Sequence, residues 1–239
     1  MVSCLCITKN RVPLLKRAIA CYLAQTYLNK ELIIVYESSD VNTKHYLSNV
    51  SVKSIHSIEI PSESDQCLGT LRNISIQSCN GQYFCQWDDD DWYHEKRIEF
   101  QMDVIKQSQL PASILMHWLV FDSTQNKAYI SPFWHWEGSI ICDKKKVQKK
   151  FQYENLPKGE DTTLIKKLFK NHMVFPIMMP KLYIYVYHSN NTWHYEHWKN
   201  NIINKSKSLS SSSSQLIQEI LNNRYSVQEA SRRLDCIVD

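Results

Sequence analysis

An α/β sandwich with a mixed, mainly parallel central sheet and a short helical C-terminal tail is the fold class that this sequence predicts, and three observations carry it. Val2–Ile7 is a continuous apolar run, which without polar alternation suits a strand covered on both faces. Pro13 then fits a first helical turn, and Leu14, Leu15, Ala18, Ile19 and Tyr22 recur at helical spacing. Glu31–Tyr36 is a second buried-strand run, closed by the turn-type cluster Glu37–Asp40. Strand, helix and strand in this short compass form a βαβ unit, whose two strands run parallel.

The later elements follow in order. His45–Val50 reads as a short helix, Val52–Ile60 as a strand and Leu68–Cys79 as a helix ended by Asn80-Gly81. Tyr83–Trp87 is a short strand running directly into Asp88–Asp91. Glu95–Ser108 is an amphipathic helix with Ile98, Met102 and Ile105 on one stripe. Ser113–Asp122 and Lys127–Phe133 read as a strand pair, Gly138–Cys142 as another strand, Glu160–Lys170 as a helix and Lys181–Tyr187 as a last strand. Lys144, Lys145, Lys146, Lys149 and Lys150 make a basic, helix-compatible stretch. Ser206–Ser214 reads as a serine-rich linker, followed by short amphipathic helices at Gln215–Leu221 and Val227–Leu234.

The totals bound the function. With 239 residues, 43% of them hydrophobic, there is enough material for one substantial core plus an appendage. A net charge of +4 is too mild for a nucleic-acid protein. The eight cysteines form no C-x-x-C pair, and small buried thiols in a reducing compartment account for them. Lys9, Asn10 and Arg11 close the apolar start in the wrong charge order for a signal peptide, and no apolar stretch approaches the ~20 residues of a membrane span. The expectation is a cytoplasmic protein, with peripheral contact at the inner membrane through the lysines of 144–150 weighed against a plain solvated helix face.

The chemistry concentrates in Asp88-Asp89-Asp90-Asp91. Open α/β sheets bind ligands at the carboxyl ends of their strands, where this run falls. Four adjoining carboxylates repel one another and resist desolvation, and a compact cation relieves both. Asp88 and Asp90 share a side in extended backbone, and Mn²⁺ or Mg²⁺ takes one or two such carboxylates together with substrate phosphates. A calcium loop is excluded, because Trp92 stands where the third ligand belongs and the glycine is missing.

With these residues in view, the chain resembles family 2 glycosyltransferases of the GT-A fold over about residues 2–195. The resemblance rests on Val2–Arg11, Glu31–Asp40, Leu71-Arg72-Asn73, Gln82–Trp92 and Gly159-Glu160-Asp161, five matches in order. It implies a nucleotide-sugar-binding half over residues 1–91, an acceptor-binding half over 92–200 and a tail over 201–239. It also implies that Asp88 and Asp90 hold the metal and through it the donor diphosphate, with Asp91 the rival ligand, and that Asp89, Thr8, Asn10, Arg11 and Arg72 line the donor site. Glu37 falls where the family carries an aspartate that contacts the base, typically uracil; an exposed turn residue is the alternative. By the same resemblance His188 reaches the metal or diphosphate. Asp161 is the base, with Glu160 as the alternative to it, although an acidic residue here also favours a helix start. Trp134 and Trp136 are expected to divide between acceptor platform and core. The implied reaction is inverting transfer from a nucleotide sugar, UDP-linked, to a glycan or lipid-linked saccharide, in bacterial surface-polysaccharide biosynthesis. Two other readings stand beside it: a nucleotidyltransferase acting on sugar phosphates, against which the chain offers only four glycines and no glycine-rich loop, and a non-catalytic sugar-nucleotide-binding protein.

Overall fold

In the computed structural model, which describes residues 1–62, 66–148, 152–189, 191 and 193–237, the apolar runs of the first half do become parallel strands. In chain order the elements are β1 (Val2–Ile7), α1 (Val12–Ala24), β2 (Lys30–Glu37), α2 (Val41–Ser48), β3 (Ile55–Ile60), α3 (Leu68–Ser78), β4 (Tyr83–Gln86), β5 (Trp92–Tyr93) and α4 (Arg97–Ser108). They continue with β6 (Ala112–Leu115), β7 (Leu119–Asp122), β8 (Lys127–Ile130), β9 (Ile141–Asp143), α5 (Lys144–Gln148), α6 (Thr162–Lys170), β10 (Val174–Ile177) and β11 (Tyr183–Tyr187). The last are α7 (Tyr195–Asn201), β12 (Lys207–Ser208), α8 (Ser211–Leu221) and α9 (Val227–Asp235). Lys149 and Lys150 of the basic stretch lie outside the described residues.

A seven-stranded sheet has the order β10-β6-β9-β4-β1-β2-β3. It is parallel throughout except for β9, which runs antiparallel between β4 and β6. The carboxyl ends of β1, β2, β4, β6 and β10 therefore share one edge. Successive residues of the central strands feed two cores. Cys4, Cys6, Leu32 and Ile34 pack with Leu15, Ala18 and Tyr22 of α1, while Leu5, Ile33 and Val35 pack with Leu71, Ile76, Leu164 and Leu168. This two-sided burial is why β1 and β2 show no polar alternation.

A second, five-stranded sheet has the order β12-β8-β7-β11-β5. The expected strand Ser113–Asp122 is in fact two strands in different sheets: β6 joins the large sheet and β7 the small one. Its partner at Lys127–Phe133 ends at Ile130, and the expected strand from Gly138 begins only at Ile141, after a 3₁₀ turn at Glu137–Ser139.

The serine-rich linker is also corrected. Ser210 caps α8 by accepting from Ser213 N at 3.1 Å, Ser214 Oγ accepts from Ala128 N at 3.0 Å, and both Ser213 and Ser214 are buried. Hydroxyls that satisfy the helix start and an adjacent strand override the low helix propensity of serine. Among the described residues no helix is long and apolar enough to cross a membrane.

Gly69, in the first turn of α3, lets the 154–156 segment approach: its N–H donates to Leu156 O at 3.1 Å, and a Cβ there would run into the Glu154 carbonyl. Gly69→Ala is predicted to destabilise the protein by about 1–3 kcal/mol, read as a lower urea midpoint at unchanged slope.

Candidate active site

Strand β4 delivers the aspartates to the common edge, and the buried residues beneath hold them there. Trp87 Nε1 donates to Ala18 O at 3.0 Å, fixing the strand end on α1. Fully buried Arg97 donates to the carbonyls of Gln86 at 3.1 Å and Gly138 at 3.3 Å, with its guanidinium over the rings of Trp87, Tyr93 and Tyr183. Arg17 of α1 donates to the Asp90 carbonyl at 2.5 Å and to Leu221 O at 3.4 Å, so the last turn of α8 is tied to the aspartate loop.

Each carboxylate then finds a different partner. Asp88 is the most open, its side chain 31% exposed, with Oδ1 3.5 Å from Arg72 Nη2. Asp89 Oδ2 accepts from Thr8 Oγ1 at 2.6 Å, and Oδ1 lies 3.5 Å from Arg11 Nη1. Asp90 Oδ2 lies 3.0 Å from Arg11 Nη1 and 3.0 Å from His188 Nε2. Asp91 is turned the other way: Oδ2 accepts from Tyr183 O–H at 2.5 Å and Oδ1 from Val186 N at 2.9 Å. Asp91, the rival metal ligand in the sequence, thus uses both oxygens to join the loop to β11 inside the protein and is turned away from Arg11, Arg72 and His188.

The electrostatics separate the four. Burial, with Arg72 opposing and the Asp90 charge adding, raises Asp88. Burial and Asp90 push Asp89 to about 7, and burial holds Asp91 well above the carboxylate range. Burial also works against ionised Asp90, but the His188 hydrogen bond and the Arg11 charge outweigh it and hold Asp90 low. Asp90 is therefore the fixed negative charge of the group.

Arg72 of α3 joins this loop to the acidic pair. Its Nε donates to Glu160 Oε1 at 2.6 Å and its Nη1 to Gln86 Oε1, beside Nη2 facing Asp88. Glu160 is thereby buried and engaged. Asp161 stands at the N-cap of α6 yet makes no side-chain cap bond, so the helix start does not use its carboxylate. Burial, offset by Arg72 and reinforced by Glu160, pushes Asp161 to about 6.

The rest of the donor-side set lies at the ends of β1 and β2. Asn10, at φ 55°, donates its backbone N–H to Asp40 Oδ2 at 2.5 Å. Glu37 ion-pairs with Lys9 at 2.9 Å on the surface. Trp136 is buried and stacked on Trp118 at 4.9 Å, whereas Trp134 is 52% exposed.

Three residues of the site escaped the sequence reading. Asp40 was only a turn residue there; it also caps α2 through Thr43 N at 3.0 Å. Tyr183 looked like one more strand aromatic. Glu137 gave no signal beyond preceding a glycine. It accepts from Thr162 Oγ1 at 3.4 Å, next to Asp161, and a Cβ on Gly138 would lie 3.2 Å from Asp88 Oδ2, so this turn runs between the base candidate and the aspartate loop.

Among the described residues no group of three or more histidine, cysteine or acidic side chains is placed to hold a metal unaided. Asp88 and Asp90 offer hard oxygen donors at the carboxyl edge of the sheet, a set that fits Mn²⁺ or Mg²⁺ completed by phosphate oxygens and water, and does not fit a closed structural site.

The family model for glycosyl transferase family 2 matches residues 3–172. The chain belongs to that family. An uncharacterized glycosyltransferase of Rickettsia conorii is 28% identical over 134 residues, covering 55% of this chain and 22% of that protein. One from Rickettsia typhi is 29% identical over 107 residues, 45% of this chain and 32% of that protein. The chain thus spans a fifth to a third of the length of these relatives. The fold matches solved structures: S. aureus TarS in complex with UDP-GlcNAc, at TM-score 0.65 and 13% identity over 93% of this chain and 72% of that one. Another is the mannosyltransferase PcManGT from Pyrobaculum calidifontis in complex with GDP-Man and Mn²⁺, at TM-score 0.60 and 10% identity over 98% and 70%. The α/β class with a mainly parallel central sheet and C-terminal helices is the GT-A-type architecture of these neighbours.

Burial, followed by the Asp161 charge, raises Glu137 from 4.5 to about 8. A carboxyl with a raised folded-state pKa stabilises most below its unfolded value and loses that contribution as pH rises through the folded one. In the metal-free protein, Glu137→Gln is predicted to gain stability over wild type as pH rises from 4.5 to about 8, by roughly 1–2 kcal/mol given partial solvent screening, in urea unfolding at several pH values.

Proposed function

We propose that this protein transfers a sugar from a nucleotide-sugar donor, UDP-linked, to a hydroxyl of a glycan or lipid-linked saccharide, with inversion at the anomeric carbon. The observation carrying this reading is the pairing of two carboxylates of unlike character at one sheet edge. Asp90 is kept charged by Arg11 and His188, while Asp161 is half-buried, free of capping duty and poised near neutrality.

The residues divide the task. Asp88 and Asp90 hold a divalent cation, Mn²⁺ or Mg²⁺, which when bound stabilises the departing diphosphate as a Lewis acid. Arg11 lies at the same edge and makes charge-assisted contact with phosphate oxygens. Thr8 fixes Asp89, Asn10 shapes the loop after β1, and Glu37 with its Lys9 partner borders the place of the base. Asp161 accepts the acceptor's hydroxyl proton as its oxygen bonds to the anomeric carbon and the bond to the diphosphate oxygen breaks. Arg72 holds Glu160 and Asp88 in fixed relation to this base, and His188 orients Asp90. A setting in surface-polysaccharide biosynthesis and a cytoplasmic location belong to the same proposal.

The test is a thermal shift with UDP and Mn²⁺, followed by turnover with UDP-sugars. UDP raises the melting temperature only with the cation, by an amount equivalent to about 2.7 kcal/mol at a hundredfold excess over Kd. Asp88→Asn with Asp90→Asn removes that shift. Asp161→Asn keeps the shift but lowers sugar transfer by roughly 10²–10⁴-fold. Release of pyrophosphate instead of UDP contradicts the reading in favour of nucleotidyl transfer, and UDP binding with no turnover favours a sugar-nucleotide-binding protein.

A further inference from the structure

The carboxyl edge of the large sheet carries exposed apolar side chains that take no part in holding the aspartate loop. Trp134 N donates to Met116 O at 3.1 Å, and Met116 N donates to Ile177 O at 2.9 Å. Three backbone segments thus lie side by side at the carboxyl ends of β6 and β10. Phe133 and Trp134 stand on one flank and Met178 and Met179, just past Ile177, on the other, about 10 Å apart at two strand spacings. Their exposures are 59%, 52%, 56% and 38%. The aromatic flank is braced by rings: His117 packs edge-on to Phe133 at 5.6 Å, and His135 stacks on Phe169 of α6 at 3.9 Å.

Phe169 stacks on His135, the residue after Trp134, and so ties α6 to the aromatic flank; α6 carries exposed charge. Lys166, Lys167 and Lys170 are all exposed, and none forms an ion pair among the described residues. No acidic residue follows Asp161 on this helix. The combination has a specific chemistry. Lysine is depleted at protein–protein interfaces, where arginine is the favoured cation. Tryptophan, phenylalanine and flexible methionine beside lysines instead match the boundary between acyl chains and anionic headgroups, where apolar insertion and charge attraction each contribute.

We propose that Phe133, Trp134, Met178 and Met179, flanked by the α6 lysines, form a docking surface for an anionic lipid bilayer. The surface sits on the sheet edge that carries the aspartates, so a docked membrane faces the cleft, and a lipid-linked acceptor needs that orientation. None of these side chains takes part in the proposed transfer, and vesicle binding is measured without turnover.

The experiment is co-sedimentation with phosphatidylcholine vesicles containing roughly 30% phosphatidylglycerol, beside pure phosphatidylcholine vesicles. The protein pellets with the anionic vesicles and several-fold less with the neutral ones. Phe133→Ser with Trp134→Ser lowers the bound fraction about tenfold, as does replacing all three lysines by glutamine, with the melting temperature unchanged. Should the aromatic pair compromise folding, Met178→Ser with Met179→Ser reads the same surface from its other flank. Protein left in the supernatant with anionic vesicles overturns the proposal, as does binding that all these variants leave intact. Concentration-dependent dimerisation in sedimentation velocity, lost in the aromatic variant without vesicle binding, overturns it in favour of a second copy as the occupant.

Discussion

Four adjoining carboxylates cannot all be charged and buried at one strand end, and the arrangement of this protein around residue 90 is an answer to that repulsion. The aspartates draw their main partners from different elements, with Arg11 shared between Asp89 and Asp90: Asp88 from α3, Asp89 from the end of β1, Asp90 from the start of α1 and the loop after β11, Asp91 from β11 itself. Desolvation and mutual repulsion push three of them toward the protonated state, and only Asp90, with two cationic or hydrogen-bonding partners, is held low. In the proposed function this combination of one fixed anion, one open carboxylate and a neighbouring arginine suits a cation bridging to phosphate oxygens.

The same constraint explains why the second sheet and the tail belong to the site. Asp91 is buried because β11 offers a tyrosine hydroxyl and a backbone N–H, and these bonds suture the small sheet to the large one at its carboxyl edge. Arg17 satisfies carbonyls of both Asp90 and Leu221, so helix α8 bears on the loop from behind. Further along, Ser231 Oγ accepts from Glu95 N at 3.0 Å and Lys181 Nζ reaches the carbonyls of Asp235 and Ile237, binding the last helix to the segments either side of β5 and β11. Residues far beyond the family match thus hold the geometry of its central motif.

Much of this was legible in the sequence, for physical reasons that differ by residue. The βαβ start could be read because β1 and β2 are covered on both faces, so burial alone writes the pattern. The aspartate run could be read because charged residues closing an apolar strand are expensive unless they are used, whereas Arg72 and the Glu160–Asp161 pair stand out only through the family resemblance. The run Ser113–Asp122 was not divisible, since both halves are fully buried and the bend at Met116–Trp118 contains neither glycine nor proline. The serines of α8 were misleading because their hydroxyls are satisfied by a cap and by Ala128, partners that exist only in the folded chain. Asp91 differs from its neighbours only in facing inward, which a repeated residue type conceals, and Glu137 owes its character to burial first and then to Asp161 across a turn.

The central claim is this division of labour among the aspartates, and anomalous diffraction from a crystal grown with Mn²⁺ and UDP tests it most directly. The account predicts one manganese peak about 2.1 Å from oxygens of Asp88, Asp90 or both and from the diphosphate, with Asp91 still bonded to Tyr183 and Val186. A manganese ion ligated by Asp91, or diphosphate bound at this edge with no metal beside it, would contradict the account.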